Sequence, residues 1–169
     1  KNIEIVSMDM SPSFISGYFE FFGHADLVFD KFHIIKMLNE ALDNTRKAEQ
    51  TDKKLLKGHR FTLLHKRSNL SDKKIMELET LLLTYPTLGE AYKYKEGFLD
   101  AFTFEKSDDA IEYLNKWCDA VRQTNLTFMK KFVNTLKAHW EGVITNFTCP
   151  GVNNGILEGI NQKIQLAKR

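Results

Sequence analysis

Two short apolar runs, each ending in an aspartate, constrain this chain more than anything else in it. The first is "IEIVSMDMS", where Ile3, Ile5 and Val6 lead to Asp9; the second is "DLVFDKFHIIKMLNEAL", where Leu27, Val28 and Phe29 lead to Asp30. Short runs of β-branched and aromatic side chains read as strands, here over residues 3–8 and 25–29. Between them Pro12 stands at the first turn of a helical pattern reaching about Phe22, and Gly23 and His24 turn the chain. Strand, helix and strand in that order close as parallel neighbours with a right-handed crossover. In parallel sheets, functional groups gather at the carboxyl ends of strands, where loops open and backbone groups lack ladder partners. Asp9 and Asp30 both stand at such ends.

The rest of the chain reads as helix. A helix beginning near Asp30 and fading by about Gln50 carries Phe32, Ile35, Leu38 and Leu42 on one face. The segment 51–69, with an apolar core flanked by bases, reads as a short helix or an extended stretch. Ser71 is placed to cap a helix with Ile75, Leu78, Leu81 and Leu82 inside, and Pro86 opens another with Leu88, Tyr92, Phe98, Leu99 and Phe102. Ser107 is placed to cap the next, with Ile111, Leu114, Trp117, Cys118 and Val121, and one long helix follows from Leu126 to Phe147. Large aromatics at helical spacing predict an apolar core around Trp117, Phe132, Leu136 and Trp140. "TCPGVNNG" is a turn-rich loop, after which Asn154 caps a last helix with Leu157, Ile160, Ile164 and Ala167 inside. The expected fold class is mostly α with a small parallel β-α-β unit.

A chain of 169 residues, 43% hydrophobic and 27% charged, has the composition of a soluble globular domain with a proper core. No apolar run approaches the length of a membrane span, so a cytoplasmic protein with no membrane partner is expected. Cys118 and Cys149 form no disulfide framework and read as reduced thiols. The start at Lys1, directly before a strand, reads as a piece of a longer protein. The net charge of +2 hides an asymmetry: residues 31–74 hold 12 basic and 5 acidic side chains, a local net of +7. Such a block suits a phosphate-binding surface or, equally, a solvated helix face.

Three groups of residues are candidates for chemistry. Asp9 either serves a site at the strand end or caps the helix entered at Pro12. Glu158 shares a polar face of the last helix with Asn161, Gln162, Gln165 and Arg169, where it is a metal-binding carboxylate or a surface glutamate. Asp30 and His33 sit at a strand–helix seam, one helical turn apart. Asp30 is placed to cap the helix while His33 looks back over the strand end; zinc binding is the sharp alternative, but no cysteine or second histidine lies at a matching spacing. His24, His59, His65 and His139 read as ordinary surface or core-edge residues.

The stretches "IVSMDMSPSFISGYFEFF", "ADLVFDKFHIIKMLNEALDNTRK", "LLKGHRFTLL" and "NNGILEGINQKIQLAKR" occur in this order. Together they resemble the catalytic region of bacterial insertion-sequence transposases of the ISL-three family, which have a DDE, RNase H-like fold. The resemblance implies the C-terminal part of an RNase H-like α/β fold carrying a large all-helical insertion. Residues 1–50 would be the partial core, 51–147 the insertion, and 148–169 the loop and helix that return to the core. It further implies that Asp9 and Glu158 are catalytic metal ligands, with Asp30, His33 and Asn161 supporting the active site. The cofactor would be Mg²⁺ or Mn²⁺, the partners transposon-end and target DNA, and the chemistry two-metal phosphoryl transfer. Lys57, Arg60, Lys66 and Arg67 would contact DNA phosphates.

The family's first catalytic aspartate lies on a strand upstream of Lys1. By itself, therefore, this chain is expected to bind no metal, to cleave no DNA and to cover its open sheet edge as a two-fold homodimer. An RNase H-like nuclease without a joining step, and a non-catalytic helical interaction module, are the rival readings.

Overall fold

The structure, a computed structural model, describes residues 3–49, 56, 58–149 and 151–152. Strand β1 (Ile5–Met8) pairs in parallel with β2 (Asp26–Phe29), in the register Ile5 to Asp26 through Met8 to Phe29. Helix α1 (Pro12–Phe21) makes the crossover, with Pro12 pre-set for the first helical turn. Tyr18 is the buried residue of α1, and its hydroxyl donates to the Ala25 carbonyl at 2.6 Å, tying the helix to the start of β2. Helix α8 (Trp140–Thr148) covers β2. Asn146 Nδ2 donates to the Phe29 carbonyl at 2.8 Å, closing the last backbone acceptor of the strand.

Gly142 makes that packing possible. A Cβ there would lie 2.5 and 2.7 Å from two ring carbons of Phe29 and 3.1 Å from Leu27 Cγ. Phe29 is buried and cannot swing aside. Gly142→Ala gains about 1 kcal/mol of helix propensity but overpacks a closed contact, which costs roughly 1–3 kcal/mol. The expected net result is a loss of about 1 kcal/mol in denaturant unfolding. Wild-type stability would mean that the ring yields.

The remaining helices among the described residues are α2 (Lys31–Glu49), α3 (Arg60–Leu64), α4 (Asp72–Thr84), α5 (Pro86–Asp100), α6 (Ser107–Gln123) and α7 (Thr127–Ala138). The described residues fall into two compact units. One holds those up to Ile34 together with those from His139 onward, and the other is Ile35–Ala138. The second unit is built on interlocking aromatics. Phe98, fully buried, meets Trp117, Phe132 and Phe102 edge to face at centroid distances of 5.2, 5.4 and 5.8 Å. Trp117 Nε1 donates to the Tyr94 carbonyl at 3.0 Å, so the indole is satisfied where it is buried. Cys118 is a buried free thiol in this core, and burial pushes its pKa up to about 11. Lys95 is buried as well; its Nζ donates to the His65 carbonyl and to Glu96 Oε1, each at 2.6 Å. Burial lowers its pKa, partly offset by Glu96.

Four sequence expectations are corrected. Phe32 is exposed rather than inward, because the buried stripe of α2 runs through Ile34, Leu38, Ala41 and Leu42, two residues out of phase with it. The single helix expected from Leu126 to Phe147 is two. His139 leaves helical geometry (φ −118°, ψ 27°) and packs edge-on against Phe29 at 5.3 Å. Trp140 consequently belongs to the β-α-β unit and not to the core around Trp117, Phe132 and Leu136. Ser107 is the first residue of α6 rather than its cap, whereas Ser71 holds the cap position of α4 as expected, without a side-chain hydrogen bond. The expected last helix, with its capping Asn154, lies outside the described residues.

Candidate active site

The site follows from the strand register. Because Met8 pairs with Phe29, the next residue of each strand, Asp9 and Asp30, emerges at the same edge of the sheet. The Asp30 amide extends the ladder by donating to the Met8 carbonyl at 3.0 Å. Asp30 is buried, and its two oxygens have separate tasks. Oδ1 accepts from the Phe32 amide at 3.1 Å and so caps α2, while Oδ2 lies 3.4 Å from His33 Nδ1. His33, one turn into α2, brings the same Nδ1 to 2.8 Å from Asp9 Oδ1. With Nδ1 protonated, the imidazole is a donor shared between two carboxylates that would otherwise repel.

Asp9 does not cap α1. Ser11 holds that position, with its own carbonyl accepting from the Ile15 amide. Asp9 and His33 are each about one-third exposed, whereas Asp30 is turned inward. The cluster thus has an open face made by Asp9 and a closed, hydrogen-bonded support made by Asp30. One potential ligand atom from each of Asp9, Asp30 and His33 lies within 4.8 Å of the others. Two carboxylates and one imidazole, reachable from solvent on the Asp9 side, make a donor set that fits a divalent cation. Phe32 stands at the rim, exposed, its ring edge-on to His33 at 6.0 Å.

The other expected site residues are placed unevenly. Glu158, Asn161 and Lys57 lie outside the described residues. Arg60 Nε is 3.4 Å from Asp43 Oδ2. The Arg67 guanidinium pairs with Glu79, and its backbone amide donates to Glu96 Oε2 at 3.2 Å. Lys66 is half-buried ahead of a 3-10 turn, Arg67–Asn69. The expected basic segment therefore shares its charge with carboxylates.

Asp43, which the sequence reading passed over, organises part of it. This buried carboxylate meets Arg46 Nε at 2.8 Å and Lys47 Nζ at 3.0 Å, besides Arg60. Burial alone would raise its pKa, but hydrogen bonds from Lys47 and Arg46, with their charges, outweigh that and hold it below the ordinary 3.8. The i, i+3, i+4 spacing of Asp43, Arg46 and Lys47 was visible in the sequence; the addition of Arg60 was not.

Comparison with known proteins adds the decisive observation. The profile of the ISL-three family, described as "Transposase", matches residues 1–169. The chain belongs to the ISL-three transposase family. Its relatives include the transposase for insertion sequence element IS1001 of Bordetella parapertussis, 24% identical, with all of this chain and 43% of the relative covered. The transposase for insertion sequence element IS1557 of Mycobacterium tuberculosis (strain CDC 1551 / Oshkosh) is 22% identical, over 83% of this chain and 37% of the relative. The chain spans about two fifths of the length of these curated relatives. No solved structure matches it. Among the described residues of this family member, no helix is long and apolar enough to cross a membrane.

Proposed function

We propose that this chain carries part of the catalytic centre of a DNA transposase of RNase H-like architecture, acting on transposon ends and target DNA as a homodimer. The observation that carries the reading is the meeting of Asp9, Asp30 and His33 at the carboxyl ends of two parallel strands in a member of a transposase family. Asp9 and Glu158 would hold Mg²⁺ or Mn²⁺. Bound there, the ion would supply activation of an attacking hydroxyl and stabilisation of the leaving oxygen in phosphoryl transfer. Asp30 holds the first turn of α2, and His33, standing on that turn, orients the Asp9 carboxylate through Nδ1. Asn161 would complete the polar surround. Lys57, Arg60, Lys66 and Arg67 would neutralise backbone phosphates, which set the register of DNA without reading its sequence.

Strand cleavage of transposon-end DNA in Mg²⁺ by the full-length protein, followed by joining to a target duplex, tests the reading. Cleavage without joining would favour a nuclease, and neither product a non-catalytic helical module. His33 gives a separate handle. A hydrogen-bonding partner behind a metal ligand contributes about 10–100-fold in metal affinity or activity. In the full-length protein, His33→Ala is expected to weaken Mn²⁺ binding, followed by titration, by about that factor, with His33→Gln recovering part of it. Unchanged Mn²⁺ affinity would remove His33 from the site.

A further inference from the structure

The helical unit carries a second arrangement that the catalytic reading does not use. On the five-residue helix α3, Thr62 and Leu63 are buried, which turns Phe61 outward; its side chain is 67% exposed. The neighbouring Arg60 places its guanidinium carbon 5.8 Å from the centre of the Phe61 ring. The same guanidinium reaches Asp43, where Arg46 and Lys47 also converge, so one carboxylate gathers three cations. Lys47 and Arg60 keep more than half of their side chains in solvent, while Asp43 is almost fully enclosed. Lys47 and Arg60 face outward with their shared counter-charge beneath them, while Arg46 is buried beside Asp43, so the exposed part of the group is positive. Below Phe61 the backbone is held, since its carbonyl is 2.6 Å from His65 Nδ1 and the His65 carbonyl accepts from buried Lys95.

We infer that Phe61, Arg60 and Lys47 form a contact for unpaired nucleotides of DNA, in which Phe61 stacks on a base while Arg60 and Lys47 take the flanking phosphates. An exposed ring beside fixed cations has the chemistry of a single-strand platform: every base offers a π-face, and every linkage a negative charge. A duplex contact needs only the cations, and a protein contact would not call for so concentrated a positive charge. Asp43 serves as a positioning residue, holding Arg60 and Lys47 against their mutual repulsion. The inference rests on DNA being the substrate, and it adds that part of that DNA is unpaired where it meets the helical unit.

The test uses the full chain with a short single-stranded oligonucleotide carrying 2-aminopurine, compared with the same sequence as duplex. Binding of the single strand should quench the 2-aminopurine, the signature of stacking. Phe61→Ala should weaken single-strand binding by roughly 5- to 150-fold, the range for one lost base–aromatic stack, and abolish the quench. Phe61→Trp should preserve both, and duplex affinity should change little in either variant. Lys47→Ala should lower the salt dependence of single-strand binding by about one phosphate, roughly 0.7 in the logarithmic slope.

Unaltered single-strand affinity in Phe61→Ala, or binding without quench in the wild type, overturns the inference. So does a lowered melting temperature in Phe61→Ala, which would mean that the ring packs within the protein. Absence of the quench in the wild type, with Asp9-dependent cleavage by the full-length protein intact, would refute this inference alone. Phe61-dependent binding by this chain, without cleavage by the full-length protein, would refute only the catalytic reading.

Discussion

Asp9→Asn is expected to lower metal-dependent DNA cleavage by the full-length protein by more than about 100-fold, while shifting the thermal midpoint by no more than about 2 °C. The factor exceeds that for a group acting behind a ligand, because Asp9 supplies the open carboxylate itself. The small stability effect follows from its position. Asp9 is about one-third exposed and caps no helix, and an amide there can still accept from His33. Asp30→Ala should behave differently. Removing a buried oxygen that accepts the Phe32 amide withdraws the cap of α2, costing about 1 kcal/mol, and releases His33 from one of its two partners. Cleavage and melting measured on both variants separate these roles. Near-normal cleavage by Asp9→Asn would sink its assignment, whatever the fate of Asp30.

Phe98→Ala is expected to be the most destabilising single truncation in the helical unit, at about 3–5 kcal/mol or roughly 10 °C in thermal midpoint. Three aromatic partners surround the ring, and two of them, Trp117 and Phe132, also meet each other at 6.2 Å. A cavity among rigid rings collapses poorly, so the loss includes unfilled volume as well as transfer of the side chain. Circular dichroism in denaturant gives the stability, and the fluorescence of Trp117 reports the core directly. A loss below about 1.5 kcal/mol would mean that the cluster closes over the gap and that its geometry matters less than its composition.

Local features of this fold were legible where one element decides its own form. β-Branched runs ending at Asp9 and Asp30, with Pro12 opening the intervening helix, announced a parallel pair, and the strands stand at Ile5–Met8 and Asp26–Phe29. The helical periods of α4, α5 and α6 were equally plain, since Leu78, Leu88, Phe98, Leu114 and Trp117 are all buried as their spacing implied. Errors arose where a neighbour sets the outcome. Phe32 fits an apolar stripe by spacing, yet the Asp30 cap fixes the phase at which α2 begins and leaves that ring in solvent. No pattern between Leu126 and Phe147 marks a break, because the reason for it is Phe29, distant in sequence, against which His139 and Gly142 pack.

The site divides in the same way. From the sequence alone came the strand-end aspartates and a histidine one turn beyond the second of them, because spacing is a property of the chain; the family came from the resemblance of its motifs. Only the tertiary structure decided that Asp9 leaves the cap of α1 to Ser11 and faces His33, and that Asp43 draws Arg60 to Arg46 and Lys47. Each of those pairings depends on where side chains distant in sequence come to lie. Hydrogen bonds and ion pairs act over a few ångströms, and spacing along a chain does not determine such distances until strand register and helix packing have done so.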